Sequence, residues 1–309
     1  MADSTSKKKF IAGMFAPGNL LVESSLRQLS GLNDSDLQFL KQSWGAADKE
    51  RRFDIVSRLV KLSQENFRLD FSDIFKFCLN DSDARVRTSA IDGLANEEGH
   101  QYVSPLLRLL AEDSSQEVRE AVIKALGKFA LLAETGKLSD SYIQKIYHAL
   151  LKVLYDRATT AKTKYLALEA IAPFSMPRVK ELIEDAYNSE EPGSKASAVR
   201  AMGHNCDQVW LTNLVAELEN SDVDIRRNAV IAIGEIGDEE SFPHLLKLIE
   251  DKDIQVQEAA IVALAETGGE KARQTLTEMA GSPRSRIRRA AKTALKELDF
   301  CKGPLFQDS

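Results

Sequence analysis

The sequence predicts an all-α chain: a solenoid of about eight stacked helical hairpins. Three observations carry this. First, a short phrase recurs at Val86-Arg87, Val118-Arg119, Thr163-Lys164, Ser194-Lys195, Ile225-Arg226, Val256-Gln257 and Ile287-Arg288, with spacings of 32, 45, 31, 31, 31 and 31 residues. Second, eight residues after each start stands an apolar residue (Leu94, Leu126, Ile171, Met202, Ile233, Leu264, Leu295), preceded by glycine once and by alanine six times. Third, Asp83, Ser115, Thr160, Asp222 and Asp253 lie three residues before five of the starts. Their side-chain oxygens suit the N-cap of a helix. A fixed period of this size marks units that bury their apolar faces against one another.

Taken in order, residues 1–30 read as a flexible N-terminal segment. Lys7-Lys8-Lys9 followed by Phe10 to Ala16 imitates a secretory signal. The apolar run is short and Pro17-Gly18 interrupts it, so a cytosolic segment is expected. An eroded unit follows, with Leu37 and Leu40 on its first helix and Arg51, Ile55, Val56 and Leu59 on its second. The solenoid is expected over 31–300 and a tail over 301–309.

Numbering each recurring start as position 1, positions 1, 5, 8 and 9 fall on one helical face, as Val118, Val122, Ala125 and Leu126 do. Small residues at position 8 leave room for a neighbouring helix. First helices precede, as in Pro105–Leu110 and Pro243–Ile249, with proline near the start where its missing N–H costs nothing. Acidic turns separate the two helices. Gly127, Gly203, Gly234, Gly237, Gly268 and Gly269 are expected to end the second helices. The 45-residue interval marks an insertion near 127–140, predicting a longer helix end and connection. Lys292 stands where Ile123, Val230 and Ile261 stand in other units, as a polar cap on the last one.

Composition excludes several classes. The 309 residues are 43% hydrophobic and 28% charged, ordinary for a globular chain, and the net charge of −6 gives no general nucleic-acid footprint. Cys78, Cys206 and Cys301 lack metal-ligand spacing, which fits a reducing, cytoplasmic compartment. Cys78 is expected to be a buried small hydrophobe and Cys206 a loop cysteine. No apolar stretch is long enough for a membrane span.

The run Asp81 to Leu94, Asp-x-x-x-x-Val-Arg-x-x-Ala-Ile-x-x-Leu, resembles HEAT repeats. The 31-residue period resembles the short subtype named after phycobilisome lyases, over roughly residues 33–300. The resemblance implies a right-handed α-solenoid whose second helices line a concave binding surface. It implies a non-enzymatic scaffold for a protein or peptide partner, and a monomer is expected. Two alternatives stand beside it. The subtype's name suggests a bilin lyase or isomerase that handles a chromophore. The run Arg284, Arg286, Arg288, Arg289, Lys292 and Lys296 suggests nucleic-acid binding of the kind found in HEAT-like DNA glycosylases.

The candidate binding face comprises positions 3 and 7 of the second helices: Glu120, Lys124, Tyr165, Glu169, Arg200, Arg227, Ile231, Glu258, Val262 and Arg289. Tyr165, Ile231 and Val262 are apolar where solvent is expected, either as an interaction patch or as inter-repeat packing. The position-2 cations Arg87, Arg119, Lys164, Lys195, Arg226 and Arg288 are expected to pair with turn acids such as Asp81, Asp113 and Asp251, each pair contributing little if exposed. No catalytic residue, metal site or cofactor is expected. None of His100, His148, His204 and His244 is followed by glutamate, and no two share a helical metal-site spacing. Trp44 and Trp210 are expected to anchor the core.

Overall fold

The computed structural model describes residues 2–15 and 19–301; the tail beyond Cys301 lies outside the described residues. The described residues contain helices and turns and no strand. The chain divides into two compact units, 1–149 and 150–309. None of the described helices is long and apolar enough to cross a membrane.

The first unit contains α1 (Ala2–Met14), α2 (Glu23–Leu26), α3 (Asp34–Trp44), α4 (Lys49–Glu65), α5 (Ser72–Cys78), α6 (Ala84–Gly93), α7 (Val103–Glu112) and α8 (Gln116–Glu134). The next helix, α9 (Asp140–Tyr155), crosses the division. The second unit continues with α10 (Ala161–Ile171), α11 (Pro177–Tyr187), α12 (Ser194–Asn205), α13 (Leu211–Glu217) and α14 (Val223–Ile236). It ends with α15 (Phe242–Lys247), α16 (Ile254–Thr267), α17 (Gly269–Met279) and α18 (Ser285–Cys301). From α3 onward, first and second helices alternate. Within the first unit the second helices pack in series, α4 on α6 on α8; within the second, α10, α12, α14, α16 and α18 do the same.

The expected caps form. The side chains of Asp83, Ser115, Thr160, Asp222 and Asp253 each accept a backbone N–H of the helix that follows. The 194 unit uses another device: Gly193, at φ 85°, turns the chain into α12, and Ser194 Oγ donates to Ala186 O at 2.8 Å. The repeat pattern becomes the core, with Val118, Val122 and Leu126 buried in α8 and Ala229, Ala232 and Ile233 in α14. Each fully buried branched side chain contributes roughly 1.5–3 kcal/mol. Cys78 is buried. Trp44 donates to Asp81 Oδ2 at 2.6 Å and meets Phe15 and Phe77 edge-on. Trp210 donates to Asn205 Oδ1 at 2.8 Å.

Two expectations change. Residues up to 30 are seated where described: Ile11, Met14, Leu26 and Leu29 are buried and α1 packs on α3. Arg51 donates to the Met14 carbonyl at 2.8 and 2.6 Å, satisfying an end group of α1 that has no helical partner. Gly127, Gly203 and Gly234 do not end helices but lie inside α8, α12 and α14. Helix α8 runs past Gly127 because Phe129, Ala130, Leu132 and Ala133 continue its buried face. Gly237 does act as a stop, at φ 70°.

The arginine ladder holds in part. Arg87 grips Asp113 with two bonds of 2.7 Å, and Arg226 grips Asp251 with two of 3.1 Å. Arg52 reaches Asp81 at 3.1 Å, which fits the eroded unit into the same register, and Lys195 reaches Glu217 at 3.2 Å. Arg119 and Arg288 instead donate to turn carbonyls at the start of their own helices, Asp113 O at 2.7 Å and Ser282 O at 2.8 Å. Gln257 makes the same bond to Asp251 O at 2.6 Å.

Candidate binding face of the second unit

On a helix, residues four apart stack along one stripe, so positions 3, 7 and 11 of each second helix form a column. The expected site residues fall in both units. Glu120 and Lys124 belong to the first and the other eight to the second. Glu120 departs from expectation: it is buried, and Gln116 Nε2 donates to it at 2.9 Å. Lys124 is exposed.

Tyr165 is also occupied. Its hydroxyl donates to Pro192 O at 2.8 Å, and its ring lies against Gly193, so it braces the turn that enters α12. Glu169 and Arg200 neutralise each other across α10 and α12, with bonds of 2.9 and 2.6 Å. Arg227 pairs with Asp224 at 3.1 Å and donates to Gln255 Oε1 at 2.5 Å. Glu258 is half-buried and Arg289 exposed.

Ile231 and Val262 behave differently. Each is 41% exposed, and they hold the same position on the packed helices α14 and α16. Exposed β-branched residues side by side at matching register form an apolar stripe. Tyr165 is not part of it, because its hydroxyl and ring are engaged elsewhere.

One turn further along the columns lies a row absent from the expected site: His204, Glu235, Glu266 and Glu297. The oxygens of Glu235 and Glu266 lie along the preceding helix. A Cβ on Gly203 would come within 2.2 Å of Glu235 Oε2, and one on Gly234 within 2.2 Å of Glu266 Oε2. His204 Nε2 is 3.9 Å from Glu235 Oε1. Burial pushes the Glu235 carboxyl above the usual range, opposed by His204. Burial also raises Glu266, reinforced by the carboxylates of Glu235 and Glu297. The signal for this row was in the sequence: the residue four beyond position 7 repeats at the same 31-residue spacing.

The basic run of the last unit is partly consumed. Arg284 pairs with Glu250 at 2.5 Å, and Arg288 binds turn carbonyls. Arg286, Arg289, Lys292 and Lys296 are exposed.

Comparison with known proteins bears on these features. The model of HEAT repeats matches residues 72–142 and 211–296, just over half of the chain. The protein belongs to the HEAT-repeat family. Among solved structures, this HEAT-repeat protein is similar to the complex of CpcE and CpcF of phycocyanin lyase from Nostoc sp. PCC7120, with 18% identity and a TM-score of 0.53 over 92% of this chain and 97% of that one. That likeness shows the shared fold. Weaker likenesses include human deoxyhypusine hydroxylase in complex with glycerol (16% identity, TM-score 0.37, 97% of this chain and 98% of that one) and the Kap95:Nup1 complex (14%, 0.48, 97% and 46%). No curated protein matches the HEAT-repeat chain.

Proposed function

We propose that the protein is a non-enzymatic scaffold that holds a protein or peptide on the position-3 and position-7 face of its second helices. One observation carries the reading: Ile231 and Val262, at matching positions of neighbouring helices, are exposed together. Leaving such a stripe in water forgoes burial free energy that a partner's apolar side chains would recover. Of the charged candidates beside it, Glu169 and Arg200 are engaged with each other and Arg227 with Asp224, whereas the stripe is open to a ligand.

The test is panning of a displayed random-peptide library against the full chain and against an Ile231→Glu/Val262→Glu variant. Clones enriched on the wild type are expected to be lost on the variant, while its helical circular dichroism stays the same. Equal retention on both proteins contradicts the reading. Arg200 and Arg227 are poorer targets, since changing either first disturbs a partner within the chain.

A further inference from the structure

The identity of the occupant follows from what borders the stripe. On the column of α14, Ile231 is followed one turn later by Glu235; on α16, Val262 is followed by Glu266; on α18, Thr293 is followed by Glu297. An apolar pair on α14 and α16 thus runs beside an acidic line on α14, α16 and α18, three helices packed in series. The acidic line is under-compensated: among the described residues neither Glu266 nor Glu297 forms an ion pair, and Glu235 has only His204, at 3.9 Å. The helices are adapted to this arrangement. Gly203 and Gly234 stand in the last turns of α12 and α14. Their missing side chains let Glu235 and Glu266 lie against the neighbouring backbone.

The spacing selects a conformation. Packed helices lie about 8–10 Å apart. A polyproline-type strand rises about 3.1 Å per residue with three residues per turn, so every third side chain returns to one side after about 9 Å. A β-strand does not match, because residues three apart point to opposite faces.

We propose that this face binds an extended, polyproline-like segment of a partner protein that carries lysine or arginine at every third residue, with apolar residues between. The cations meet Glu235, Glu266 and Glu297 in turn, and the intervening apolar side chains cover Ile231 and Val262. The inference rests on the docking reading above and adds the chemistry and spacing of the occupant.

The test is fluorescence anisotropy on the full chain with two labelled peptides of equal composition: four Arg-Pro-Leu triplets, and a control with its arginines clustered at one end. A Glu235→Gln/Glu266→Gln/Glu297→Gln variant and an Ile231→Ser/Val262→Ser variant are measured alongside, with circular dichroism confirming that both fold. The triplet peptide is expected to bind wild type at least tenfold more tightly than the control. The glutamine variant should lose at least tenfold in affinity and most of the salt dependence. Absence of binding to wild type, equal binding of both peptides, or undiminished binding to the glutamine variant overturns the proposal. If peptides selected from the library depend on Ile231 and Val262 but are neutral or acidic, the basic occupant fails while the docking face stands. If triplet binding ignores the serine variant, the apolar half of the proposal fails, and with it the reading on which it rests.

Discussion

Arg226 and Asp251 show how much the setting of a pair matters. Their side chains are only 4% and 9% exposed, unlike Arg284 and Glu250 at 51% and 70%. Removing one member of a buried pair strands the other charge, whereas exposed pairs contribute about 0–1 kcal/mol. Arg226→Ala is therefore expected to destabilise the fold by about 3 kcal/mol, and Arg284→Ala by far less, in urea unfolding monitored by circular dichroism. Comparable losses would mean that the ladder does not discriminate by burial. Asp251 and Glu266 respond to pH in opposite directions. Burial pushes Asp251 upward, but the bonds from Arg226 and the Asp253 N–H outweigh it and hold the carboxyl below the usual range. Its contribution is present above the unfolded-state value and is lost as pH falls through the folded one. Glu266 is raised, first by burial and then by Glu235 and Glu297. The native state holds its proton more tightly than the unfolded chain does, so ionising it withdraws stability as pH rises past the unfolded value. Glu266→Gln should raise the thermal midpoint at pH 7, and the gain should vanish in acid once the wild-type carboxyl is protonated. A variant that is less stable at pH 7 would show that the carboxylate is compensated after all.

At the scale of the helix, most of what the sequence foretold concerns periodic positions. The N-caps at Asp83, Ser115, Thr160, Asp222 and Asp253 were legible because capping is local: one side chain and the N–H groups two or three residues on. The buried stripe of α14 was legible because period 3.6 fixes which residues share a face. What escaped depends on neighbours far along the chain. Gly203 and Gly234 read as helix stops, since glycine alone does not announce whether a turn or a close approach requires it. The structure shows the approach: a Cβ at Gly234 would lie 2.9 Å from Ala263 Cα as well as against Glu266. Register alone puts Tyr165 and Glu120 on the open face; Glu120 is buried beside Gln116, and Tyr165 is half-buried with its hydroxyl on the Pro192 carbonyl. The burial of α1 was hidden because its apolar residues follow no repeat. The glycine account predicts that Gly234→Ala, despite alanine's higher helix propensity, destabilises the protein by about 1–3 kcal/mol through overpacking. Gly45→Ala, with nothing within 4 Å of the added Cβ, should be neutral. Differential scanning calorimetry of the two variants checks this, and a more stable Gly234→Ala protein would refute it.

For the whole molecule, the repeat explains why the fold is so much more readable than the function. Each unit buries its apolar face against the next, so selection for stacking writes the same residues at the same positions. Binding has no such period and is written in the exceptions. In the second unit these are two aliphatic residues exposed at matching register, a row of carboxylates short of cations, and last-turn glycines that make room for them. Lys292 is a different exception, an exposed charged residue of α18 at a position that is apolar in other units. The central claim is that the stripe through Ile231 and Val262 is where a partner binds. Methyl NMR of protein labelled at isoleucine and valine, titrated with a peptide selected on the wild-type chain, tests it most directly. The methyl signals of Ile231 and Val262 are expected to shift with saturation at the binding stoichiometry, while those of buried Val118 and Ile55 stay in place. Unmoved Ile231 and Val262 signals, with saturable shifts elsewhere, would contradict the account.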